Sequence, residues 1–123
     1  MRALVVDDSR AMRLILGRVL REHGYEVAEA GDGREALEVL GAGALPDVLL
    51  VDWNMPVMNG LELVQAVRQD ATYAGVRIVM VTTESEATHV VQAIEAGADE
   101  YLFKPFTPEA VADKLGMLGL LAV

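Results

Sequence analysis

Several apolar runs in this chain close on residues that could do chemistry. Asp7 and Asp8 follow "RALVV", Asp52 follows "DVLLV", Thr82 and Thr83 follow "VRIVMV", and Lys104 follows "DEYLF" and precedes Pro105. Taken singly, each has an ordinary reading. Aspartate caps helices and forms turns, an acidic pair complements the positive end of a helix, and a loop lysine sits comfortably in water. Those readings treat every residue separately and give no reason for them to meet. If they do meet, three carboxylates cannot all stay ionised without a counter-charge. A divalent cation supplies one, and hard oxygen donors with no neighbouring His or Cys favour Mg2+ over softer metals.

The elements around these residues decide whether they meet. Strand-length apolar runs at 2–6, 25–30, 47–51, 76–81 and 99–103 alternate with amphipathic segments near 10–22, 33–42, 60–70, 85–96 and 108–121. Each change of period falls at Gly, Pro, Ser, Thr or Asn. Ser9, Asn59, Ser85 and Thr107 stand where helix N-caps belong, Pro108 fits a first helical position, and Gly24 and Gly97 fit helix ends. Five βα units predict an α/β, doubly wound, parallel sheet with helices on both faces, because parallel strands need right-handed crossovers. Ligands in such sheets bind beyond the carboxyl ends of the strands, where strand order reverses. Asp8 and Asp52 are about two βα units apart, and Asp52 to Thr82 and Thr82 to Lys104 about one each, so the spacing carries all of them to that one edge.

Composition narrows the function classes. A chain of 123 residues is the size of one domain, expected to span 1–123. Ten Lys and Arg against 19 Asp and Glu give a net charge of -9, which disfavours direct binding of nucleic acid. Cysteine is absent, excluding disulfides and thiolate metal sites and fitting a reducing compartment. No apolar run approaches the roughly 20 residues that cross a bilayer. A soluble, cytoplasmic protein without membrane insertion is expected.

The ordered set "LVVDDS", "DWNMP", "VMVTTE" and "YLFKPF" spans nearly the whole chain and resembles the response-regulator receiver domains, those of stand-alone chemotaxis proteins in particular. The resemblance implies a flavodoxin-like five-stranded sheet of order 2-1-3-4-5 with five helices. It implies that Asp52 is the phosphoacceptor and that Asp7 and Asp8, with Asp52 and the backbone carbonyl of Asn54, hold Mg2+. Thr82 matches the switch hydroxyl, Tyr101 the switch aromatic, and Lys104 the lysine that contacts the phosphoryl group. The implied partners are a histidine kinase, a downstream protein target such as a flagellar motor switch, and a phosphatase, with the protein itself a monomer. Such a protein is no conventional enzyme: it assists its own phosphorylation and dephosphorylation and presents helix four, strand five and helix five to its target. Asn54 and Glu84 flank the path of the hydrolytic water in receivers, implying a short-lived phosphorylated state. The end at Val123 leaves no room for an output domain, which favours action by binding.

Other classes fit less well. A haloacid-dehalogenase-like hydrolase also uses Asp, Mg2+, a hydroxyl and Lys, but its nucleophile follows the first strand in a D-x-D pattern, and position 54 here is Asn. A flavodoxin-like cofactor binder would meet Asp7 and Asp8 in its phosphate loop. A pure interaction module leaves the intact acidic set unexplained. On helix one, Arg10, Arg13, Arg18 and Arg21 share an arc opposite Met12, Ile15, Leu16 and Val19, which reads as a solvated face or a docking face for an acidic partner. His23 and His89 have no partner at ligand spacing and are expected to be exposed, and Trp53 is expected to shield the site. On helix five, Val111, Leu115 and Leu118 take the core side, Met117 and Leu120 fall away from it, and Lys114 is expected on the same face as Tyr101.

Overall fold

The structure is a computed structural model that describes residues 1–43 and 45–121. Five strands, β1 (Arg2–Val6), β2 (Glu26–Ala30), β3 (Val48–Asp52), β4 (Arg77–Thr83) and β5 (Glu100–Lys104), form one parallel sheet of order β2-β1-β3-β4-β5. Helices α1 (Arg10–Glu22), α2 (Gly33–Ala42), α3 (Gly60–Gln69), α4 (Thr88–Ala96) and α5 (Pro108–Met117) alternate with them. Two short 3-10 turns, Ala71–Tyr73 and Glu84–Glu86, precede β4 and α4. The doubly wound architecture is that expected from the alternating periods, and the strand order is that implied by the family resemblance.

Strand alternation splits the interior into two cores. Leu4, Val6, Leu49, Val51, Ile78 and Met80 face Leu40 of α2, Leu63, Val64 and Val67 of α3, and Ala93 of α4. Their sequence neighbours Ala3, Val5, Val48, Leu50, Val79 and Val81 face Leu16, Val19 and Leu20 of α1 and Val111 and Leu115 of α5. A sheet covered on both faces needs strands that are apolar throughout, and all five residues of β3 are buried. Among the described residues no helix is long and apolar enough to cross a membrane.

Caps fix most helix starts. Ser9, Asn59 and Thr107 accept from the backbone N–H of Met12, Glu62 and Ala110, and Glu62 returns the bond to Asn59 N–H as a capping box. Asp32, not singled out in the sequence, caps α2 in the same way. Pro108 opens α5, and Gly24 and Gly97 follow helix ends at positive φ.

Three expectations need correction. Ser85 caps nothing: β4 runs on to Thr83, a 3-10 turn follows, and α4 begins at Thr88 after Ala87 with no side-chain cap. The Ser85 hydroxyl is satisfied locally, 3.0 Å from Thr83 Oγ1. Helix α5 ends at Met117 rather than 121, because Gly119 at φ 72 reverses the chain and Leu120 N–H returns to the Leu115 carbonyl. Leu120 therefore packs on the core instead of falling away from it, whereas Met117 is exposed. On α1 the buried arc is Leu16, Gly17, Val19 and Leu20, leaving Ile15 51% exposed, and Arg13 turns inward on the margin of that arc.

Candidate functional site

The carboxyl edge of the sheet gathers the residues whose spacing pointed there. Asp7 leaves the end of β1, Asp52 ends β3, Thr82 is the penultimate residue of β4 opposite Phe103, and Lys104 ends β5 opposite Thr83. Asp7, Asp52 and Thr82 are the buried polar residues of the molecule among those described. One oxygen each of Asp7, Asp8 and Asp52 lie within 4.8 Å of one another, with Asp8 the exposed member. Lys104 Nζ donates to Asp52 Oδ1 at 2.9 Å and approaches Asp7 Oδ2 at 3.5 Å. Asn54, two residues beyond Asp52, is exposed.

Each group is held from behind. The Asp7 carboxylate accepts the N–H of Ser9 at 2.8 Å, and its backbone carbonyl accepts Arg13 Nη1 at 2.7 Å. Arg13 also pairs with Glu29 of β2 at 3.0 Å, so the arginine joins β1, α1 and β2. Beside Asp52, Trp53 N–H bonds the Val81 carbonyl and Gly60 N–H the Trp53 carbonyl. That brings α3 so close that a Cβ at Gly60 would lie 2.5 Å from the Asp52 carbonyl oxygen, a separation no side chain can take. Gly60 is thus fixed by the approach of backbone to backbone under the acidic residue.

Electrostatics follow from this packing. Burial pushes the Asp52 carboxyl above its ordinary value; the hydrogen bond from Lys104 opposes that, and the charges of Asp7 and Asp8 add to the rise. Burial pulls the Lys104 ammonium down, but its hydrogen bond to Asp52 and the charges of Asp52 and Asp7 outweigh it, leaving the pKa raised. One cation facing three carboxylates leaves the cluster short of positive charge, and its donors are all oxygens. Such an all-oxygen donor set could hold a hard divalent cation.

Residues 3–116 match the family described as the response regulator receiver domain. The chain belongs to that family. It is 49% identical over 116 residues to chemotaxis protein CheY1 of Helicobacter pylori, covering 94% of each, and 47% identical to a chemotaxis protein CheY homolog of Campylobacter jejuni, covering 94% of this chain and 89% of that one. Among solved structures it is similar to the chemotaxis response regulator CheY4 of Vibrio cholerae, with a TM-score of 0.88, 41% identity and coverage of 95% of this chain and 97% of that one. The chain is therefore a two-component signalling protein of the CheY type.

The ring of Tyr101 on β5 lies against Phe103, with centroids 5.0 Å apart, and under Lys114 Nζ, 4.0 Å from its centroid. Lys114 is held there by Glu100 at 3.0 Å, so Tyr101 and Lys114 do share a face. The side chain of Glu84 lies outside the described residues. His89 departs most from expectation. Far from standing alone, its ring stacks on Trp53 with centroids 3.7 Å apart and planes 6° from parallel. Its Nδ1 is 2.9 Å from Glu86 Oε2 and 3.4 Å from Thr82 Oγ1. His23 is half-buried, with Nδ1 2.9 Å from the Val19 carbonyl. Trp53 is a buried core residue rather than a loose cover. The contacts of Arg13 and His89 were not legible in the sequence: one depends on how far α1 is rotated, the other on how late α4 begins.

Proposed function

We propose that Asp52 accepts a phosphoryl group from a phosphohistidine on a partner kinase and that Thr82 and Tyr101 convert the added charge into a change of binding surface. The observation that carries this reading is the Asp52 carboxylate itself, buried at the strand edge, with one oxygen on Lys104 Nζ at 2.9 Å and the acidic pair beside it. An Asp52 oxygen attacks phosphorus as the P–N bond breaks, and the departing imidazole keeps the bonding pair and takes up a proton. Lys104 neutralises phosphoryl oxygen as charge redistributes. Asp7, Asp8, Asp52 and the Asn54 carbonyl would hold Mg2+, which when bound supplies further positive charge to those oxygens. Water attacking the same phosphorus later returns free carboxylate and inorganic phosphate, with Asn54 and Glu84 placed in sequence to influence its approach.

The dianion added at Asp52 then draws the Thr82 hydroxyl as a hydrogen-bond donor, and the space it leaves lets Tyr101 turn inward. Tyr101, Lys114 and the exposed apolar residues Val91, Ile94 and Met117 lie on α4, β5 and α5, the face offered to a downstream protein such as a flagellar motor switch component. A monomeric receiver spanning 1–123, working in the cytoplasm and reset by its own hydrolysis or by a phosphatase, completes the reading. The test is incubation with acetyl phosphate and Mg2+ followed by intact mass. One phosphoryl group per chain is expected, absent in Asp52→Asn and after chelation of the metal. Ordinary labelling of Asp52→Asn would remove the assignment.

A further inference from the structure

We propose that His89 is a positioning residue that latches the Thr82 hydroxyl in its resting orientation, so that phosphorylation must break this contact to switch the protein. This rests on the reading of Thr82 as the hydroxyl drawn toward a phosphorylated Asp52. Thr82 is 2% exposed, and a buried hydroxyl is expected to keep a partner. Among the described residues its side-chain hydrogen bond is to His89 Nδ1 on α4, at 3.4 Å. The imidazole is itself held twice, by stacking flat on Trp53 and by Glu86 at 2.9 Å. A carboxylate only accepts, so Nδ1 carries the hydrogen, and Thr82 Oγ1 receives a share of the same N–H. The hydroxyl hydrogen of Thr82 is then left available for a new acceptor.

The consequence is a competition with a definite sign. Trp53 follows Asp52 directly and is bonded to β4 through the Val81 carbonyl, so the surface on which His89 rests is part of the reactive edge. Movement of Thr82 toward Asp52 lengthens an already long bond to His89 and loses it. A contact made only in the resting state raises the population of that state by its own free energy. For a hydrogen bond of this length the effect is on the order of threefold, at the low end of what such bonds contribute net. Removing the donor while keeping the stacked ring should therefore favour the switched form by that factor.

The phosphoryl analogue beryllium fluoride separates the possibilities, with its Mg2+-dependent affinity measured by fluorine NMR on wild type, His89→Phe, His89→Asn, and His89→Phe in a Thr82→Ala background. Phenylalanine keeps a flat ring for Trp53 but has no donor, and the Asn Nδ2 sits where the imidazole Nδ1 was. Expected are about threefold tighter binding by His89→Phe, a return toward wild type in His89→Asn, and no effect of His89→Phe once Thr82 is Ala. Unchanged affinity in His89→Phe, failure of Asn to restore it, or equal tightening with and without Thr82 would each overturn the latch. If wild type binds the analogue no better than Asp52→Asn, the phosphoacceptor reading fails first and takes the latch with it.

Discussion

The β1–α1 and β4–α4 junctions occupy equivalent places in the fold, each leading from a strand end at the reactive edge into a helix, yet they are built differently. At the first, α1 starts at Arg10 on a Ser9 cap, Asp7 is held by Ser9 N–H and its carbonyl by Arg13, and the helix buries Leu16, Gly17, Val19 and Leu20. At the second, a 3-10 turn delays the helix, α4 starts with no side-chain cap, and the one residue it buries fully is Ala93. Stability within a domain is uneven, and elements with few buried apolar contacts open most easily. A junction that must fix charged oxygens gains from rigidity. On the proposed function, one that lets a threonine and a helix shift gains from shallow anchoring.

The largest expected difference between the two is in core truncation. Leu20 has no exposed surface, and Leu20→Ala should cost about 3 kcal/mol of unfolding free energy, the lost transfer plus the cavity left behind. Val91 on α4 is 59% exposed, and Val91→Ala should change stability by no more than about 0.5 kcal/mol. Urea titrations of the two variants would measure both, and comparable losses would show α4 to be as firmly seated as α1.

A smaller effect should come from Asp52, which ends β3 beside the charges of the rigid junction. Burial raises the Asp52 carboxyl above its unfolded value, so its contribution to folding is fully present below about pH 4 and is lost as pH rises through the folded value. Near neutral pH, with a chelator present, the ionised Asp52 opposes folding. Asp52→Asn should then be more stable than wild type, because the amide has no charge to bury and the charges of Asp7 and Asp8 no longer face a third carboxylate. The advantage should vanish in acid, where Asp52 is protonated, and chemical denaturation at the two pH values would register it. A wild type more stable than Asp52→Asn at neutral pH would mean that the Lys104 pair outweighs the repulsion.

What the sequence revealed follows the same division. Asp7, Asp8, Asp52 and Lys104 could be brought together on paper because a parallel sheet aligns every strand's carboxyl end, whatever the loops do. Ser9, Asn59 and Thr107 could be read as caps because each stands directly before an amphipathic run. Near α4 that logic failed. Ser85 has the right residue type in the right place, but β4 continues to Thr83 and the serine hydroxyl turns back to it. Once the helix start moves to Thr88, His89 falls in its first turn, over Trp53, instead of further along an exposed face. Leu120 was misplaced for a related reason, since periodicity cannot foresee that Gly119 takes positive φ and folds the chain back. Pattern reading works where many residues vote for one period and fails where a single turn decides.

The smallest expected difference isolates that single turn. Ser9 Oγ accepts Met12 N–H at 3.2 Å, satisfying a backbone donor that no helical carbonyl reaches. Ser9→Ala removes this acceptor and should cost about 1 kcal/mol, while the Ser9 N–H that holds Asp7 is untouched because it belongs to the backbone. At the other junction Ser85, among the described residues, bonds a neighbouring hydroxyl and is exposed, so Ser85→Ala should stay within about 0.5 kcal/mol of wild type. The pair is a stringent comparison because residue type and substitution are the same, and only the helix start differs. Equal losses in thermal unfolding would place a working cap at Ser85 and move the start of α4 back toward it. His89 would then be carried away from Trp53 and Thr82, and the loose anchoring on which the contrast between the junctions rests would disappear.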